Sequence, residues 1–194
     1  MRKDCLALLI AVFSLGIAPI GCKRKPAAPP PSASTSAGAV AESSTTVTQP
    51  APTAAPVNFS ANLSGKEVIP PLKTRASGMA KLQLSGDSMR LSYEVSVKDV
   101  RGLTAIHLHQ GAMGKSGDVV AWLYPDMPPP KEIKGRSNGV VAKGALDASR
   151  LVGPMSGKTI KDLAEAIMGD SIYVMVHTQK HMEGELRGQV KMTP

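Results

Sequence analysis

Residues 78–100 read GMAKLQLSGDSMRLSYEVSVKDV, and two runs within them alternate apolar and polar residues. In GMAKLQLSG (78–86), Ala80, Leu82 and Leu84 share one side and Met79, Lys81 and Gln83 the other. In MRLSYEVSVKDV (89–100), Leu91, Tyr93, Val95 and Val97 share one side. A period of two marks a strand with one face on a core. SGDS (85–88) between the runs supplies turn residues, so the stretch predicts a β-hairpin.

The same pattern recurs on both sides of the hairpin. FSANLSG (59–65) precedes it, and TAIHLHQ (104–110), VVAWLY (119–124), GVVAKGAL (139–146), SIYVMVHT (171–178) and ELRGQVKM (185–192) follow. Eight short strands predict a mainly β domain, an antiparallel β-sandwich or barrel. One segment departs from period two. TIKDLAEAIMG places Ile160, Leu163, Ala164, Ile167 and Met168 at helical spacing and ends at Gly169, so a single α-helix is expected over about 159–168, capped by Ser156 or Thr159. The Pro- and Gly-rich YPDMPPPKEIKGRSNG (124–139) predicts a surface loop.

The N-terminal third has a different character. Arg2 and Lys3 precede the apolar run CLALLIAVFSLGIAPIG, which stops at Cys22, so residues 1–21 read as a secretory signal segment. PIGC resembles the lipobox of bacterial lipoproteins, which implies acylation of Cys22. Lys23 after it favours an outer-membrane anchor on the periplasmic face. In residues 23–56, 26 of 34 are Ala, Pro, Ser or Thr, too few apolar groups to offset the entropy of ordering. Residues 22–56 are therefore expected to form a disordered tether, and 57–194 a single domain.

That domain carries 18 Lys and Arg against 13 Asp and Glu, scattered along the chain, and five aromatic residues with no basic interleaving. Nucleic acid is excluded as an expected partner. The membrane, through the lipid anchor, and a possible protein partner remain. Cys5 leaves with the signal segment and Cys22 carries lipid, so no disulfide is available.

Chemistry concentrates in the histidines. In AIHLHQG (105–111), Ile106 and Leu108 point into the core, and the pleat leaves His107 and His109 outward on the other side of the strand. SIYVMVHT repeats the logic, with Ile172, Val174 and Val176 on one face and Tyr173, Met175 and His177 on the other. If the two strands meet, three imidazoles converge on one ion. His181, four residues on in a turn, is a candidate fourth ligand, with Met113 and Met182 as softer donors. Imidazole suits copper and zinc, and thioether suits reduced copper. The alternative is that each histidine bonds a nearby carbonyl, Glu183 or Glu185 and holds a loop. Elbow, phosphate-loop and HExxH motifs are missing from the sequence.

FSANLSGKEVIPPLKTRASGMAKLQL (59–84), AIHLHQGAMGKSGDVVAWLY (105–124) and KTIKDLAEAIMGDSIYVMVHTQKHMEGELRGQV (158–190) together resemble the CHRD domain, found in chordin and in many exported bacterial proteins. That family is in turn similar to the immunoglobulin-like barrel of copper-zinc superoxide dismutases. The resemblance implies an immunoglobulin-like or dismutase-like fold, with His107, His109 and His177 as copper ligands and Arg187 as an anion-steering residue. The dismutase zinc loop and paired cysteines have no counterpart here, so a copper-only centre would take His181 as its fourth ligand. The expected function is a membrane-tethered extracytoplasmic binding module holding a metal, copper before zinc. Two alternatives stand beside it: a superoxide dismutase-like oxidoreductase, and a structural or protein-interaction domain without metal.

Overall fold

A computed structural model describes residues 54–193. The signal segment (1–21), Cys22 and the tether up to residue 53 lie outside the described residues. The described part is mainly antiparallel β with one helix. Its strands are β1 (Val57–Ser64), β2 (Ser77–Leu84), β3 (Leu91–Gln110), β4 (Val119–Tyr124), β5 (Ile133–Leu146), β6 (Ile172–Thr178), β7 (Leu186–Gln189) and β8 (Lys191–Met192). The order β2-β1-β7-β6-β3-β4, with β3 also pairing β2, closes a barrel of five strands: β1, β2, β3, β6 and β7. β4 and β5 pair β3, and β8 pairs β1, outside that ring.

The opening hairpin is present as predicted: β2 pairs β3 from Ser77↔Lys98 to Leu84↔Leu91. Ser85 N–H donates to the Arg90 carbonyl, and the Ser85 hydroxyl and Asp87 carboxylate cap the connection. Ala80, Leu82, Leu84, Leu91, Tyr93, Val95 and Val97 are all buried in the core, on the face their alternation assigned them.

Four expectations are corrected. The runs 89–100 and 104–110 are one strand of 20 residues, because Asp99 and Gly102 take left-handed conformations (φ 60° and 59°) and bend the chain without ending it. Before the bend β3 pairs β2, and after it β6. The loop expected over 124–139 ends at residue 132. β5 begins at Ile133, beyond the last proline of the segment, and its pairing to β3 absorbs Gly135 and Gly139 at φ 82° and 92° through register shifts. The run 185–192 divides into β7, which pairs β6 and meets β1 at Ser64, and β8, which pairs β1 at Phe59 and Ser60. Finally, the histidine face of β3 and β6 is not an outer surface: His107 and His109 are 7 and 8 % exposed, covered by loops.

The helix α1 (Ile160–Met168) starts at Thr159, whose hydroxyl accepts from Asp162 N–H while the Asp162 carboxylate accepts from Thr159 N–H. Ile160, Leu163, Ala164 and Ile167 are buried against the core. Among the described residues no helix is long and apolar enough to cross a membrane.

The seam between β1 and β7 is tight. A Cβ on Gly188 would lie 2.2 Å from the Asn62 carbonyl oxygen, whereas one on Gly169, at the end of α1, would meet its nearest neighbour at 3.5 Å. Gly188→Ala is expected to lower stability by about 1–3 kcal/mol and Gly169→Ala to stay within about 0.5 kcal/mol of the parent, as measured by urea denaturation. Equal effects at the two positions would show that the seam yields.

Candidate metal centre

The second half of β3 runs between β4 and β6. Its register places His107 opposite Trp122 and Met175, and His109 opposite Val119 and Tyr173; His177 faces Ala105, diagonal to His107. Ile106, Leu108, Val174 and Val176 fill the barrel core with no exposure. The pleat then sends His107, His109 and His177 to the opposite face together. Their ring centroids form a triangle with sides of 4.9 Å (His107 to His177), 5.7 Å (His107 to His109) and 5.8 Å (His109 to His177).

One ring nitrogen from each histidine lies within 4.8 Å of the others. Nitrogens about 2.1 Å from one ion stand about 3.4 Å apart. The rings would close by no more than about 1.4 Å to share an ion.

The covering loops set the rings. Residues 111–118 place the Gly117 carbonyl 2.9 Å from His109 Nδ1, and the turn after β6 places the Met182 carbonyl 2.8 Å from His177 Nδ1. A carbonyl only accepts, so each Nδ1 carries the proton and each Nε2 keeps its lone pair. The Nε2 atoms of His109 and His177, and both ring nitrogens of His107, are buried without a hydrogen-bond partner among the described residues. Buried polar atoms are normally paired; a shared ion is a partner they fit. Gly117 has to be glycine, because a Cβ there would fall 1.6 Å from the Gln110 carbonyl oxygen.

Burial also decides charge. Desolvation first, and then the neighbouring His177 and His109, push His107 down to about 3. Burial likewise lowers His109 and His177, partly offset by their carbonyl partners. Neutral imidazole is the form that ligates. The three rings border a pocket of about 560 Å³, also lined by Thr104, Pro130, Gln179 and Met182.

The other sequence candidates fall elsewhere. His181 sits in the turn after β6, where its backbone bonds Thr178 and Gly184, and its ring is outside the group of three. Arg187, on β7, is 1 % exposed; its guanidinium lies 3.8 Å over the Tyr173 ring and donates to the Ala112 carbonyl at 3.1 Å. Of the expected partners, a backbone carbonyl, that of Gly117 or Met182, orients the His109 and His177 rings, and Glu183 and Glu185 do not, although which carbonyl serves leaves no mark in sequence. Tyr173 was visible as an aromatic on the His177 face but not as part of the site. Its ring stacks on His109 at 5.1 Å and 11°.

Comparison with curated proteins and with solved structures gave no match. The family model of the CHRD domain matches residues 59–190, nearly the whole described fold from the middle of β1 to the end of β7. The chain therefore belongs to the CHRD domain family.

Proposed function

We propose that this domain is an extracytoplasmic metal-binding module in which His107, His109 and His177 hold one ion, copper before zinc, with Cys22 tethering the protein to the membrane by lipid. The observation that carries the reading is the convergence of buried ring nitrogens that lack partners, two of the rings being fixed by carbonyls so that Nε2 is free. Imidazole donors with no carboxylate in the group suit copper and zinc alike, and the general order of divalent affinities puts copper above zinc. Three neutral ligands near the buried guanidinium of Arg187 also leave an ion's charge uncompensated, which suits a monovalent ion better than a divalent one. When bound, copper would supply one-electron chemistry or simply be stored.

A second reading, a dismutase-like oxidoreductase, is favoured by one observation: three ligands beside a pocket leave a coordination position open. The burial of Arg187 adds nothing to it.

Metal analysis after loading with copper or zinc is expected to show one copper per chain, and less than a tenth of that for His107→Ala and for His177→Ala, while His181→Ala binds as the parent does. Neither ion at stoichiometric level in the parent would end the metal reading. Superoxide consumption by the copper-loaded parent, above that of free copper under the same chelation, would move the reading from binder to enzyme.

The lowered histidines predict a pH dependence for the metal-free domain. Above about pH 6.5 both folded and unfolded His107 are neutral. As pH falls below that, the unfolded chain takes up a proton that the folded chain refuses until about pH 3, so stability falls across this window. His107→Leu is expected to flatten that slope in denaturation curves recorded between pH 7 and 4. For the anchor, Cys22→Ala is expected to shift the protein from the membrane fraction to the soluble fraction of cells.

A further inference from the structure

Tyr173 occupies an unusual position between two functional groups. It stands on β6, with β3 on one side and β7 on the other. From β3 the His109 ring stacks on it at 5.1 Å; from β7 the Arg187 guanidinium lies over it at 3.8 Å. Its hydroxyl reaches into the 111–118 loop, accepting from Gly117 N–H at 3.0 Å and lying 3.4 Å from the Gly117 carbonyl oxygen. That same carbonyl is the partner of His109 Nδ1.

The rest of the loop is pinned from the same strand pair. The Arg187 guanidinium donates to the Ala112 carbonyl, and the Gln189 amide donates to the Gly111 carbonyl at 3.1 Å. Gly111 N–H donates to the Ser171 carbonyl, and Gln110 N–H to the Asp118 carbonyl at the loop's far end. Each contact holds backbone, and the one nearest the histidine is the hydroxyl of Tyr173.

We infer that Tyr173 is a positioning residue of the centre: its hydroxyl and ring together fix the Gly117 carbonyl against His109 Nδ1, and so hold His109 in the tautomer that frees Nε2. The purpose of this arrangement rests on the metal-binding reading, but its geometry does not. Arg187 and Gln189 serve the same loop, Arg187 while lying over the Tyr173 ring. A carbonyl that orients a ligand imidazole typically matters for affinity by about 10- to 100-fold.

The test is Tyr173→Phe in the full domain without metal, read by two-bond ¹⁵N–¹H correlation spectra of the imidazoles. In the parent, His109 and His177 are both expected as Nδ1–H tautomers. In Tyr173→Phe, His109 is expected to become a mixture, and Gly117 N–H to exchange with solvent at least tenfold faster. His177, oriented by Met182 on a different loop, serves as the internal control and stays unchanged. An unchanged His109 tautomer and unchanged Gly117 exchange would overturn the inference. So would a change spread equally over His109 and His177, which would report general loosening of the fold. Should Tyr173→Phe fail to fold, Gln189→Met, which removes the amide bond at the root of the same loop, is read in the same way and with the same control. Copper titration of the variant, monitored against a competing chelator, is expected to show affinity reduced about 10- to 100-fold. If the parent binds no metal while the tautomer changes as expected, the metal reading fails and the positioning role stands.

Discussion

The fold turns on the bend in β3. A strand of 20 residues would run about 65 Å if straight, longer than a domain of this size can bury. At Asp99 and Gly102 it changes direction, and with it its partner: β2 on the near side, β6 on the far side. That change of partner closes the five-stranded ring. It also brings the second half of β3 beside β6, so that two histidines spaced two apart and a third some seventy residues later lie on one face. Remove the bend and both the barrel and the histidine triangle lose their cause.

Closing the ring has an energetic consequence on the other side of the sheet. One face of β3 and β6 is committed to the core by Ile106, Leu108, Val174 and Val176, so the histidines are forced onto the opposite face. The 111–118 loop and the turn after β6 then bury them. Leaving a buried polar atom unpaired costs about 1–3 kcal/mol, and four ring nitrogens are in that state among the described residues. Against a typical domain stability of about 5–15 kcal/mol, that is a substantial concession. The loops lessen it by supplying carbonyls to two Nδ1 atoms, yet those bonds leave every Nε2 unmet. A site optimised only for stability would have apolar residues there; residues that a cation can satisfy are a better match to what is present.

Much of this was legible in the sequence, and the limits are physical. Period-two alternation assigned the core faces of β2, β3 and β6 correctly, because alternation follows from the pleat itself. Helical spacing, with Ser156 or Thr159 as the cap and Gly169 as the stop, placed α1 to within a residue. Where the sequence misled, nonlocal pairing decided the outcome. Asp99 and Gly102 read as the end of a strand because local chemistry cannot distinguish a bend from a stop. Ile133 to Asn138 read as loop because Gly135 and the nearby prolines outweighed a ladder supplied by β3. The three ligand candidates could be named, since side chains carry the signal. The carbonyls of Gly117 and Met182 could not, since every residue has one and only the fold chooses which is used.

Arg187 shows how a residue type constrains a role without determining it. Steering a small anion requires a guanidinium whose field reaches solvent, and screening weakens that field over roughly 8–10 Å in physiological salt. Here the side chain is buried, donates through Nη2 to the Ala112 carbonyl while Nη1 has no partner among the described residues, and lies over the Tyr173 ring that stacks on His109. An approaching ligand meets the pocket lined by the histidines, Thr104, Gln179 and Met182 before it meets this charge. The field of Arg187 therefore acts chiefly inward, helping burial to hold His109 neutral. A neutral, tautomerically fixed imidazole is what a metal ligand requires. The arginine contributes to the centre by restraining the loop at Ala112 and by opposing a proton on His109.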